Sequence, residues 1–302
     1  MGSDAGHVSV LLAETLELLA VRPGGLWVDG TVGLGGHAAA LLRASAPDGR
    51  LLGLDRDTET LERARSALAG FGDRVRLESG DYREIPERLG DERADGVLLD
   101  LGISSAQLDD PERGFSFLSD GPLDMRMDRR EAETAADVVN HLPEKELADL
   151  IYAYGEERKS RRIARAIVRA RESAPIRTTA ELAEIVRRAT FRGPPRGARR
   201  GLHPATRTFQ ALRIHVNREL GGLGETIERI AGCLAPEGRM VVIAFHSLED
   251  RAVKTTFRDL SRRGHRLLTK KPVRPSEAEA RENPRARSAR LRALARSSEE
   301  AA

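Results

Sequence analysis

The sequence predicts an α/β fold interrupted by an all-helical insertion, and three observations carry that prediction. Short apolar runs alternate with helical spacing through the first hundred residues, as crossover units of a parallel sheet require. Three of those runs end in aspartate, at Asp29, Asp55 and Asp100. Strand signals then vanish until residue 239, while helical spacing continues.

Taken in order, Leu26 to Asp29 reads as a strand that runs into the glycine-rich turn Gly30-Thr31-Val32-Gly33-Leu34-Gly35-Gly36, with a helix from His37 to Ala44. Arg50 to Asp55 is a second strand and Thr58 to Leu68 a helix. Arg74 to Glu78 alternates like a third strand, and Asp95 to Asp100 is a fourth. Residues 101 to 135 are loop-like, and 143 to 190 are helical throughout. One helix there presents Leu147, Leu150, Ile151 and Tyr154, the next Ile163, Ala166, Ile167 and Ala170. A third opens with capping-box spacing at Thr178 and Glu181 and carries Leu182, Ile185 and Val186. Residues 191 to 201 read as a flexible basic loop. Helices follow from Thr206 to Leu220 and Leu223 to Leu234, then a buried strand from Arg239 to Phe245 and a helix from Leu248 to Leu260. The last 40 residues are basic and polar, and are expected to be partly irregular. The expected domains are 1–108 and 206–302 for the α/β part and 109–205 for the helical insertion.

Composition narrows the function classes. One cysteine, Cys233, excludes a disulfide framework and a thiolate metal site, and the seven histidines show no HExxH spacing, so no metal is expected. The longest apolar run, Met240 to Phe245, is far too short to span a membrane, and the N-terminal residues lack the apolar segment of a signal peptide. A cytoplasmic protein is expected. The net charge is +3, but 14 Lys and Arg face 5 acids over 156–200, and 15 face 4 over 251–296. Such stretches suit a polyanion such as RNA, or else are solvated helix faces.

The glycine-rich turn joins a strand to a helix, where backbone amides can approach a ligand. Asp55 ends the second strand and is placed to accept hydrogen bonds from a ribose, or to cap the next helix together with Asp57. A ribose belongs both to nicotinamide dinucleotides and to S-adenosylmethionine, so this spacing leaves hydride and methyl transfer open. Asp81 and Tyr82 follow the third strand, where an acid and an aromatic can bracket an adenine; Tyr82 is equally readable as core. Asp100 sits where donor and acceptor would meet, or caps the loop that follows.

The resemblance that these residues lead to is to the RsmH or MraW family, bacterial 16S ribosomal RNA cytosine-N4 methyltransferases. It is carried by His7 to Leu12, Asp29 to His37, Leu54 to Asp57, Leu99 to Ser105, Gln107 to Asp109, Arg113 to Phe117, Gly121 to Met127, Tyr154 to Arg158, His203 to Gln210, Phe245 to Arg251 and Asn283 to Ser288, in order along nearly the whole chain. The resemblance implies a class I, Rossmann-like methyltransferase fold with a helical insertion. It implies contacts to S-adenosylmethionine from Gly35, Gly36, His37, Asp55, Tyr82, Asp100 and Gln107. Some relatives carry Phe at position 82, which points to stacking rather than the hydroxyl.

The target implied is the N4 amine of a cytidine in the decoding region, in the assembled small subunit. In-line attack there needs no covalent intermediate. The group that accepts the amine proton is open between Asp100, a backbone carbonyl in 101–105, and His246, which is also readable as a structural histidine. Arg207, Arg251, Arg285 and Arg287 are candidate phosphate contacts. Two other readings compete: a nucleotide-binding oxidoreductase, and a noncatalytic RNA-binding assembly factor that keeps the fold. Oligomeric state is not legible in the sequence.

Overall fold

A computed structural model describes residues 9–190 and 203–298, and the chain divides into two compact units. The expected basic loop at 191–201 lies outside the described residues. The first unit takes in Met1–Gly102 and Gly222–Ala302, the second Ile103–Gly221. The first opens with α1 (Leu12–Leu19), β1 (Leu26–Asp29), α2 (Gly36–Ala44), β2 (Arg50–Asp55), α3 (Thr58–Leu68), β3 (Val75–Ser79), α4 (Ile85–Leu89) and β4 (Ala94–Asp100). The second holds α5 (Ser105–Asp109), α6 (Ala135–His141), α7 (Glu144–Gly155), α8 (Ser160–Arg171), α9 (Thr179–Thr190) and α10 (Thr206–Val216). The chain returns to the first unit through α11 (Leu223–Gly232), β5 (Leu234–Ala244), α12 (Ser247–Leu260), β6 (His265–Leu267), α13 (Glu277–Glu282) and β7 (Arg290–Arg296). No helix among the described residues is long and apolar enough to cross a membrane.

The first unit is a seven-stranded sheet in the order β3-β2-β1-β4-β5-β7-β6. β1 to β5 are parallel, and β7 runs antiparallel to both β5 and β6. β1 is buried along its whole length, as a strand covered on both faces must be. Its core includes Trp27, Leu51, Leu98, Val241, Ile243, Leu291 and Ala293. Strand order reverses between β1 and β4, and at such a switch point the carboxyl ends of the strands open onto a crevice.

The tail adds an element that the sequence reading did not name. The last 40 residues are partly irregular as expected, but they also hold a strand the sequence did not announce: β7 is buried along most of its length between β5 and β6. The arginines that flank its apolar residues hide the strand from a hydropathy reading. Arg292 is itself buried and donates to Asp250 Oδ1 on α12 at 2.7 Å, which compensates the charge.

The second unit corrects the domain boundaries. It begins before residue 109 and ends after 205, because α5 and α10 belong to it. Phe209, Leu212 and Val216 on α10 share one core with Leu147 and Ile151 of α7, Ile163 and Ile167 of α8, and Leu182 and Val186 of α9. The capping box at the start of α9 forms as its spacing predicts: Glu181 N donates to Thr178 Oγ1 at 3.3 Å, and Thr178 N to Glu181 Oε2 at 3.1 Å. The loop-like stretch before α6 is not loosely held. Leu123, Met125 and Met127 are buried, and the Asn217 amide clamps the chain between Met125 O (2.8 Å) and Met127 N (2.7 Å).

Candidate active site

Register places three carboxylates together. Asp29 pairs with Gly53 on β2 and with Leu98 on β4. Asp55 and Asp100 each stand two residues beyond those partners, so all three side chains lie on one face of the sheet at its carboxyl edge.

The turn after β1 is held by these acids rather than left open to a ligand. Thr31 N donates to Asp29 Oδ1 at 3.1 Å and Gly33 N to Asp55 Oδ2 at 2.8 Å. Gly30, Val32 and Gly35 donate to the carbonyls of Leu98, Leu54 and Val32. The expectation that the whole turn presents amides is therefore narrowed to the opening turn of α2, from Gly36, whose amides lie before the first intrahelical acceptor. Gly35 is required by its positive φ of 86°. At Gly36 a Cβ would collide with Ser9 Oγ, so this glycine admits the N-terminal segment.

Asp55 is not the helix cap. That role falls to Asp57, whose Oδ1 accepts from Glu59 N and Thr60 N. Asp55 Oδ1 instead accepts from Asp57 N at 2.9 Å, so both its oxygens are aimed by backbone amides. Each keeps a second lone pair that a ribose hydroxyl could use. Burial raises its pKa to about 6 against the amides' opposing pull.

Asp29 and Asp100 are the more perturbed pair. Asp29 is fully buried, its Oδ2 meets no hydrogen-bond donor, and burial raises its pKa to about 7, with Asp55 adding repulsion. Asp100 Oδ1 is likewise buried without a donor; burial, then Asp29, then Glu249 push its pKa well up. The Thr31 hydroxyl accepts from Asp100 N at 2.7 Å and so ties the end of β4 to the turn. His37, on α2, donates from Nε2 to Val10 O at 3.0 Å, since a carbonyl only accepts, and its Nδ1 lies 3.6 Å from Asp100 Oδ2.

Tyr82 stands in a 3-10 turn after β3, where a Cβ on Gly30 would collide with its own Cβ, and the Arg83 guanidinium lies 5.1 Å from its ring centre. Its Asp81 neighbour is committed elsewhere: Oδ1 accepts from Arg83 N and Oδ2 from Arg83 Nη1 at 2.7 Å. Each Asp81 oxygen keeps a second lone pair, as those of Asp55 do.

His246 is the N-cap of α12. Its Nδ1 accepts from Glu249 N at 3.3 Å, which places the proton of a neutral ring on Nε2, 3.2 Å from Glu249 Oε1. The structural reading of this histidine is the one the geometry favours. Arg251, Arg285 and Arg287 are exposed in the first unit. Gln107 and Arg207 belong to the second unit. There Gln107 Oε1 closes the capping box of α5 with Ser104 N, and Arg207 is exposed and donates to Glu156 O at 3.1 Å. Sequence reasoning placed Asp29 at a strand end without giving it a role, and it passed over Thr31 and Glu249. The signal for Asp29 was an acid ending a strand whose other residues are all apolar.

The sequence profile of the MraW methylase family matches residues 4–297. The chain belongs to that family. It is 50% identical to a protein named ribosomal RNA small subunit methyltransferase H from Syntrophobacter fumaroxidans, over 97% of both chains. It is 52% identical to one of the same name from Symbiobacterium thermophilum, over 95% of this chain and 96% of the relative. Among solved structures, an rRNA methylase from Streptococcus thermophilus aligns with 97% of this chain and 99% of its own at 12% identity, with a TM-score of 0.45.

The chain is thus an S-adenosylmethionine-dependent methyltransferase of α/β fold. Its cleft fits such a donor: the acidic charge of Asp100, with one oxygen lacking a donor, suits a nearby cationic ligand, and Asp55 suits a ribose. Cys233 offers no thiolate nucleophile to this MraW-family site. It closes α11 at the amino end of β5, the opposite edge of the sheet, and burial raises its pKa.

Proposed function

We propose that this chain transfers a methyl group from S-adenosylmethionine to the exocyclic N4 amine of a cytidine in the decoding region of 16S ribosomal RNA, in the assembled small subunit in the cytoplasm. The reading rests on one observation above the others: three strand-end acids share one face of the sheet, in a chain of the MraW methylase family. The printed names of its relatives, ribosomal RNA small subunit methyltransferase H, support the substrate class.

A cytidine amine is a poor nucleophile because its lone pair is delocalised into the ring. The donor supplies an electrophilic methyl. As the carbon–nitrogen bond forms and the carbon–sulfur bond breaks, sulfur takes the bonding pair and the amine loses a proton. The chain must align the two atoms and hold an amine hydrogen, so that the lone pair localises during attack. Of the two candidate side chains, His246 spends its Nδ1 lone pair on the α12 cap, whereas Asp100 has an oxygen to spare. Asp100 is therefore the proposed acceptor, and Gly35, Gly36, His37, Asp55, Tyr82, Asp100 itself and Gln107 are the proposed contacts to S-adenosylmethionine. No cysteine is involved, so no covalent intermediate forms.

Arg207, Arg251, Arg285 and Arg287 are proposed phosphate contacts, with the described basic segments around them. The test is nucleoside mass mapping of 16S RNA from cells with and without the protein. N4-methylcytidine should vanish from one decoding-region position when the protein is absent; an unchanged map overturns the assignment.

A further inference from the structure

Asp29 has no direct part in the reaction described above, yet it is the most deeply buried acid of the cleft. Its carboxylate is 1% exposed and cannot itself meet a ligand. Its donors are the amide, to Oδ1, and the side chain of Thr31, and Oδ2 has none. Its neighbour Asp100 is in a similar state, with Oδ1 buried and unpartnered. The titratable groups acting on the pair are Asp55 from β2, Glu249 from α12 and His37 from α2, of which only His37 can be cationic. Among the described residues, neither Asp29 nor Asp100 has a Lys or Arg in an ion pair. Two like charges so placed do not both ionise at low cost in a dry site.

We propose that Asp29 and Asp100 act as one acidic unit that surrenders a proton when the sulfonium donor binds, and that the cleft thereby prefers the cationic donor to its uncharged-sulfur product. This rests on the methyltransferase reading above and adds a role for Asp29 as a positioning residue that works through Asp100. In the ligand-free protein a proton held by one of the two acids neutralises part of the pair. A sulfonium brought to the cleft lowers the cost of ionisation, and the proton leaves to solvent. The thioether product carries one positive charge fewer and expels less. The two acids titrate together, so the count belongs to the pair rather than to either residue. The pKa of Asp29, raised by burial to about 7, and that of Asp100, raised by burial and by Asp29, agree with this arrangement.

The experiment is calorimetric titration of the intact protein with S-adenosylmethionine, and separately with S-adenosylhomocysteine, at pH 7 in two buffers of different ionisation enthalpy. Release of about one proton per donor bound is expected, with a smaller number for the product. Donor affinity should then fall about tenfold per pH unit below neutrality. Asp29→Asn should flatten that slope. Should the variant fail to fold, the proton counts on the unmodified protein decide alone. Donor binding with no proton release, or equal release for donor and product, overturns the proposal and leaves the methyltransferase reading intact. No donor binding at any pH overturns the methyltransferase reading itself.

Discussion

Replacing Asp55 by Asn removes one charge and one acceptor from a side chain whose two oxygens are both in use. Oδ2 takes the Gly33 amide at 2.8 Å and Oδ1 the Asp57 amide at 2.9 Å. An amide side chain offers one oxygen, so its NH2 group must face the other N–H, and one backbone donor is left unsatisfied. That costs about 1–3 kcal/mol of stability before any ligand is added. The donor loses more. A hydrogen bond from a ribose hydroxyl to a charged acceptor contributes about 1.5–3 kcal/mol, or about 10- to 150-fold in Kd. Calorimetric titration with S-adenosylmethionine reads the second number and urea unfolding the first. The pH dependence carries its own sign. Donor binding that needs the ionised carboxylate weakens as pH falls below about 6, the pKa to which burial raises Asp55. In the ligand-free protein the raised pKa acts the other way. Its contribution to stability is full below the unfolded value near 3.8 and is lost as pH rises through about 6. An Asp55→Asn protein with unchanged donor affinity and unchanged stability would refute the assignment of this carboxylate to the ribose and to the turn.

Further outcomes follow from the same geometry. Cys233→Ala should leave methyl transfer within about twofold of the unmodified protein, since the thiol lies at the opposite edge of the sheet; abolished transfer with the fold intact would point to covalent chemistry. Arg292→Leu should cost about 3–5 kcal/mol by leaving Asp250 uncompensated, and Arg292→Leu with Asp250→Leu should recover much of it in a double-mutant cycle read by urea unfolding. Affinity for small-subunit RNA should fall steeply between 50 and 200 mM salt, roughly as the logarithm of salt times the number of phosphates neutralised; a flat profile would remove the exposed arginines from the interface.

Much of the α/β frame was legible because its strands are buried on both faces and so read as apolar runs, with punctuation from Gly30 to Gly36. The helical unit was legible from its periodicity, since Leu147, Ile151, Ile163 and Ile167 repeat at helical spacing and do share one core. Its edges were not. Helical spacing in Thr206–Val216 says that a face is buried but not against which partner, and only the shared core assigns α10 to the second unit. β7 was missed because a buried arginine mimics a surface residue until its partner on α12 is seen. In the site, strand ends announced Asp55 and Asp100, but not how they are held. That Asp57 caps α3 while Asp55 braces the turn is decided by which amides point where, as is the commitment of His246 to a helix cap. Sequence spacing is silent on both.

The central claim is the atom that receives the methyl group. Purified small subunits lacking the modification should be incubated with the protein and trideuteromethyl-labelled S-adenosylmethionine, digested to nucleosides and resolved by mass spectrometry. The label should appear in N4-methylcytidine from a single decoding-region position. Label on ring carbon 5, on a ribose oxygen or on no nucleoside at all would contradict the account.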